Sequence, residues 1–163
     1  MEQLPLPPDH PLLACAGRVH AAVDEAPAAD PVLMTTAQKA EALLELSRAT
    51  DRLHGLVLRV LAVADDVALD DGARSAATWL AHHTRTSHGT AVGAGRVAGA
   101  LERWHRVRAG LLTGTVNLEQ ARVIARALDA LPADLEPEIR DRPRTTSSAP
   151  SRTRSAAPAG PRG

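Results

Sequence analysis

TTAQKAEALLELSRATDRLHGLVLRVLAVADDV, residues 35–67, decides the fold class. Thr35 followed by Gln38 fits a capping box, in which the hydroxyl accepts from the third helical N–H and the glutamine reaches back to the backbone N–H of Thr35 itself. Leu43, Leu46, Thr50, Leu53, Val57, Val60, Ala64 and Val67 then recur at alternating intervals of 3 and 4. That is a heptad seam with one polar position, and it predicts a single long helix over about 35–67. Leu44, Leu56, Leu58 and Leu61 widen the stripe, as in a helix that belongs to a bundle. On this reading the seam draws alanine-rich helices together side by side, and it is also the face best suited to a protein partner or a second copy.

Shorter elements flank it. Upstream, residues 1–11 are proline-rich and expected to be disordered. Pro11 to Glu25 has Leu12, Cys15, Val19 and Val23 spaced for one helix face, and Pro27 and Pro31 then interrupt the chain. Downstream, Asp70-Asp71-Gly72 marks a turn, and Ser75 caps a short helix carrying Ala76, Trp79 and Leu80. A helix from about Ser87 to Trp104 presents Ala94, Val97, Ala98, Leu101 and Trp104 on one side. Val107 to Leu112 continues helically until Gly114. Asn117 with Gln120 repeats the capping box ahead of Ala121, Ile124, Leu128 and Leu131, and Asp134 heads a last helix, Leu135 to Arg140. Three segments result: 1–33, proline-rich with a short helix; 34–142, a helical domain; and 143–163, a disordered tail of Arg, Pro, Ser, Thr, Ala and Gly.

Composition agrees. Hydrophobic residues make up 44% of the 163, yet Phe and Tyr are absent and tryptophan occurs only at 79 and 104. A core of Ala, Leu and Val favours helices over strands. The expected fold is therefore all-α, an irregular bundle built on the long helix. Formal charge is zero, but residues 142–163 hold five arginines and no acid; without those five, 14 basic side chains face 19 acidic ones. A folded part of that sign is poorly matched to a phosphate backbone. A lone cysteine, Cys15, excludes an internal disulfide and a four-thiolate zinc site. Leu12-Leu13-Ala14-Cys15 is preceded by prolines and no basic residue, unlike a lipoprotein signal, and no apolar run is long enough to span a bilayer. A cytoplasmic protein is expected.

Each candidate site competes with a structural explanation. Gly93-Ala94-Gly95-Arg96-Val97-Ala98-Gly99 misses the dinucleotide fingerprint by one residue and follows no strand, so Gly95 and Gly99 are expected to admit a close helix neighbour. His82, His83 and His88 suit an exposed helix end better than a metal site. Glu102-x-x-His105 has the spacing of a di-iron ligand pair but lacks the second motif such sites need, leaving a locally paired helix face. Arg103, Trp104, Arg106 and Arg108 group cations around an aromatic, as in single-strand binders. The competing expectation makes Trp104 a core anchor with a solvated arginine flank. No nucleophile sits beside a base, so no catalytic residue, metal or cofactor is assigned and the chain is not expected to be an enzyme.

Residues 34–140 resemble the domain of unknown function 222 family, also called 13E12 repeat proteins. The resemblance rests on Thr35-Thr36-Ala37-Gln38-Lys39-Ala40, on Leu58 to Asp65, on Ser75 to Ala81, and above all on Val116-Asn117-Leu118-Glu119-Gln120-Ala121-Arg122-Val123-Ile124-Ala125-Arg126-Ala127-Leu128 followed by Leu131-Pro132-Ala133-Asp134-Leu135. Members commonly continue into an HNH endonuclease domain, whose ββα-metal element requires histidines that do not occur after residue 142 here. The resemblance thus implies a non-catalytic accessory or scaffold domain of the type found ahead of such nucleases. The alternatives are a nucleic-acid-binding module using Arg103, Arg106, Arg108 and the basic tail, or a remnant of an HNH endonuclease gene.

Pro143 to Ser148 also reads as a frame slip. Codons GCC GAG GAC CAC CTC GTC spell Ala-Glu-Asp-His-Leu-Val, which continues the family's helical pattern; one base later they spell Pro-Arg-Thr-Thr-Ser and then serine, as found here. A truncated or frameshifted member is the expectation, and the coding DNA tests it: a second frame beyond residue 142 should restore a family-like helix, and its absence overturns the idea.

Overall fold

A computed structural model describes residues 10–132, and these form helices and turns with no strand among them. The helices are α1 (Pro11–Glu25), α2 (Thr36–Leu61), α3 (Asp65–Asp70), α4 (Ala76–Thr84), α5 (His88–Arg103), α6 (His105–Thr113) and α7 (Leu118–Asp129), with 3-10 turns at Ala26–Ala28 and Pro31–Leu33 between α1 and α2. The fold is all-α. The proline-rich start, the helix expected over Leu135 to Arg140 and the tail from 143 lie outside the described residues.

Local chemistry fixes most of the ends. The capping box forms at α2, where Gln38 N–H donates to Thr35 Oγ1 at 3.3 Å and Thr35 N–H donates to Gln38 Oε1 at 2.9 Å. Asn117 and Gln120 repeat it at α7. Ser75 and Ser87 cap α4 and α5 by accepting from the N–H three residues on. Gly114 closes α6 with a left-handed φ of 77° that a Cβ would resist.

The long helix ends earlier than the sequence pattern predicts. Instead of running over about 35–67, α2 stops at Leu61, and Ala64 (φ −99°, ψ 26°) separates it from α3. Asp65 and Asp66 explain the break: consecutive carboxylates are stabilised in the first turn of a new helix, facing its N–H groups, and gain nothing inside a continuing one. The turn lets α3 bury Ala68 and pack on α4.

The core is small-residue packing. Nine of the fifteen buried apolar side chains are alanines, and the larger ones are Leu58, Leu61, Leu101, Trp104, Val107 and Leu111. Helices lined this way must approach closely to exclude water. α5 lies in the middle, packed on α2, α4, α6 and α7. A Cβ on Gly95 would sit 3.1 Å from the Ala77 Cβ, so α4 and α5 meet there as expected; Gly99 has nothing within 4 Å, so the expected close neighbour is missing at that position.

The buried face of α2 also differs from the seam that the sequence predicts. Its buried residues are Gly55, Leu58 and Leu61, whereas the seam residues Leu43 and Leu46 are 72% and 68% exposed and Val57 and Val60 nearly half exposed. One residue along a helix is about 100° of rotation, so the stripe facing α5 and α6 lies a quarter-turn or so from the leucine-rich seam. Gly55 sets that choice. A Cβ there would meet Leu112 at 3.1 Å and Leu111 at 3.2 Å, so its absence lets α6 lie against α2. Asp51 and Arg52 reinforce the docking at both ends of the α6–α7 turn: Leu118 N–H donates to Asp51 Oδ1 at 3.0 Å, and Arg52 Nε donates to the Leu112 carbonyl at 3.0 Å. The carboxylate thus meets a helix start and the guanidinium a helix end, the favourable pairing for both dipoles.

Gly55→Val should overpack this contact and cost about 1–3 kcal/mol. Gly99→Ala, with open space around it, should stabilise by about 1 kcal/mol through helix propensity. Urea unfolding of the two variants beside the wild type checks both signs.

Candidate association surface

Trp104 forms the corner between α5 and α6. Its backbone (φ −100°, ψ 68°) leaves the helical region, so the chain turns there instead of continuing, and its side chain is buried. The indole Nε1–H donates to Asp129 Oδ1 at 2.7 Å, while Arg103 Nη2 donates to both oxygens of the same carboxylate at 2.9 and 2.8 Å. Asp129 is the last residue of α7, so one carboxylate ties the end of that helix to the α5–α6 corner. The indole hydrogen bond, and after it Arg103, hold its carboxyl below the usual carboxylate range.

This arrangement relocates the cation–aromatic cluster. Trp104 is a core anchor, and its ring is not presented to solvent for stacking. Arg103 pairs with Asp129 and Arg108 pairs with Glu102; Arg106 is exposed and makes no ion pair among the described residues. Glu102 and His105 do not share a helix face, because the corner at Trp104 falls between them. His82, His83 and His88 are exposed at the α4–α5 junction; the His83 ring stacks on Trp79 at 4.3 Å and its Nδ1 lies 2.9 Å from the Trp79 carbonyl. Among the described residues no three His, Cys, Asp or Glu side chains are grouped to hold a metal. A cleft of about 710 Å³ between α5 and α7 brings Arg96, Arg122 and Arg126 together with Glu119 and Asp129; Arg122 pairs with Glu119, leaving charges of both signs on its walls.

Part of the seam lines a second concave surface among the described residues. Leu53, Val57 and Val60 of α2 floor an apolar groove of about 460 Å³, together with Leu56 and Leu61. Leu12 and Cys15 of α1 make one wall, and Val67, Trp79 and Leu80 of α3 and α4 make the other. Towards its start, α2 runs beyond the groove: Ala42 aside, every residue from Thr36 to Thr50 is exposed, Leu43, Leu44 and Leu46 among them. The five seam residues Leu43, Leu46, Leu53, Val57 and Val60 are thus divided between a projecting half and a groove. Sequence periodicity signals the stripe and the apolar face of α1 that borders it. It does not signal the groove, which requires α3 and α4 to turn back beside α2, nor the Asp129 clamp, whose partners lie 25 and 26 residues away.

No helix among the described residues is long and apolar enough to cross a membrane. Comparison of the chain with protein-family models, with curated proteins and with solved structures finds no match.

Removing the clamp should loosen the end of α7. Asp129→Ala should cost about 1–2 kcal/mol at neutral pH by deleting the two hydrogen bonds from Arg103 and the one from the indole, all to the ionised carboxylate, with the exposed ion pair screened by solvent. Because the folded-state carboxyl titrates below its unfolded value of about 3.9, its contribution is present above that pH and fades as pH falls through the lower folded value. Thermal unfolding from pH 7 to pH 2 should therefore show wild type converging on Asp129→Asn in acid, with Asp129→Asn retaining an acceptor for the indole throughout.

Proposed function

We propose that this chain is a non-catalytic helical accessory domain that works in the cytoplasm by helix-on-helix association, of the type the resembled family places ahead of an HNH nuclease. The observation that carries the reading is the apolar surface of α2. Leu43 and Leu46 stand 72% and 68% exposed on a helix whose later turns floor an apolar groove, a contiguous face of the sort that marks interaction sites on soluble proteins.

A nucleic-acid module built on Arg103, Arg106, Arg108 and the basic tail has less behind it. Two of those arginines are spent on carboxylates and the aromatic is buried. Phosphate binding draws on cations free to displace counterions.

Site-specific photo-crosslinking separates the two readings. A benzophenone-bearing amino acid in place of Leu46 should give protein adducts in cells that express the full chain, and Leu43→Asp should abolish them. The same probe in place of Arg106 should give no nucleic-acid adduct. Silence at 46 with nucleic-acid adducts at 106 would replace the scaffold reading with its rival.

A further inference from the structure

Resting on that reading, we infer that the partner of the α2 seam is a second copy of this chain, paired antiparallel so that each copy's projecting half lies in the other's groove. The α2 seam is self-complementary when reversed. Reversing α2 about the midpoint between Asp51 and Arg52 brings Leu43 opposite Val60, Leu46 opposite Val57, and Thr50 opposite Leu53. Each of the first two layers sets a long side chain against a short β-branched one, the alternation that lets facing layers interdigitate. The projecting residues of one copy therefore meet the groove-floor residues of the other, and the two-fold axis makes the exchange reciprocal.

The helix dipoles favour the same orientation. Antiparallel pairing opposes the two helix dipoles, whereas a parallel pair would align them. The positions flanking the seam are Ala42, Ala49 and Leu56 on one side and Ser47, His54 and Leu61 on the other. Their small or apolar character permits close approach and leaves no fixed charge in the contact.

The chain's own remaining segments are poorly composed to cover the stripe. Residues 1–9 offer Met1, Leu4 and Leu6 among three prolines, and residues 133–163 offer Leu135 and Ile139 as their only large apolar side chains. Neither repeats the seam's interval of 3 and 4. Yet the projecting half, about 22 Å of helix, carries no buried residue, and an isolated helix of that length is marginal in water. A wall of the receiving groove is free to adjust, because α1 buries no residue of its own.

Sedimentation equilibrium of the full chain at tens of micromolar should give twice the 17.1 kDa chain mass, and Leu43→Asp with Leu46→Asp should return it to 17.1 kDa. Both leucines are exposed in the protomer, so circular dichroism should show the rest of the fold retained. Register is read by cross-linking in a Cys15→Ser background: Leu46→Cys mixed with Val57→Cys should oxidise to a linked pair. Leu46→Cys alone should not, its two copies lying about 16 Å apart along the axis. A monomer throughout, a dimer indifferent to the aspartates, or self-linkage at position 46 would each overturn the pairing. A monomer alongside a protein adduct at 46 in cells would overturn it while the scaffold reading stands.

Discussion

The contact on which the rest of the structure depends is the crossing of α2 over α6 at Gly55. Glycine in the middle of a helix costs roughly 1 kcal/mol relative to alanine. Here the missing side chain admits Leu111 and Leu112, and Leu111 becomes completely buried. Asp51 and Arg52, one turn earlier, then hold the start of α7 and the end of α6. Once α6 and α7 are set against α2 in this way, α5 has a bed to lie in, and α4 closes over it through the Gly95–Ala77 contact.

An alanine-rich core has consequences for how specificity is achieved. Small side chains bury little apolar area each, so their contribution depends on many helices meeting closely and at defined angles. Directional contacts supply the definition. The Asp129 clamp is the clearest: it fixes the end of α7 against a corner that only a large, buried indole can make, and it neutralises a carboxylate at the helix terminus where the dipole disfavours it. Of the cluster whose composition suggests nucleic-acid stacking, the indole, Arg103 and Arg108 are thus engaged within the fold.

Orienting α2 by its glycine face leaves the leucine-rich face uncovered. The richest apolar stripe in the sequence accordingly floors a groove and extends past the body as an exposed helix, while the interior is assembled from plainer residues. The association proposed for that face, and the antiparallel pairing inferred for it, rest on a division of labour on one helix: Asp51, Gly55, Leu58 and Leu61 build the protomer, and Leu43, Leu46, Val57 and Val60 are left exposed or lining the groove.

The helices and most of their ends were legible in the amino-acid order. Thr35 with Gln38, Asn117 with Gln120, Ser75 and Ser87 act through hydrogen bonds spanning three residues, so their meaning is complete within the segment. The shortage of aromatics and abundance of alanine likewise excluded a strand-built core. Three-dimensional packing alone settled which stripe of α2 is buried, that Trp104 turns a corner, and that Asp129 receives both Trp104 and Arg103. Periodicity says that a helix has an apolar face but carries no information on what approaches it. That depended on Gly55 meeting Leu111 and Leu112, and on Asp51 meeting Leu118 67 residues along the chain, where packing geometry rather than hydrophobicity selects the partner.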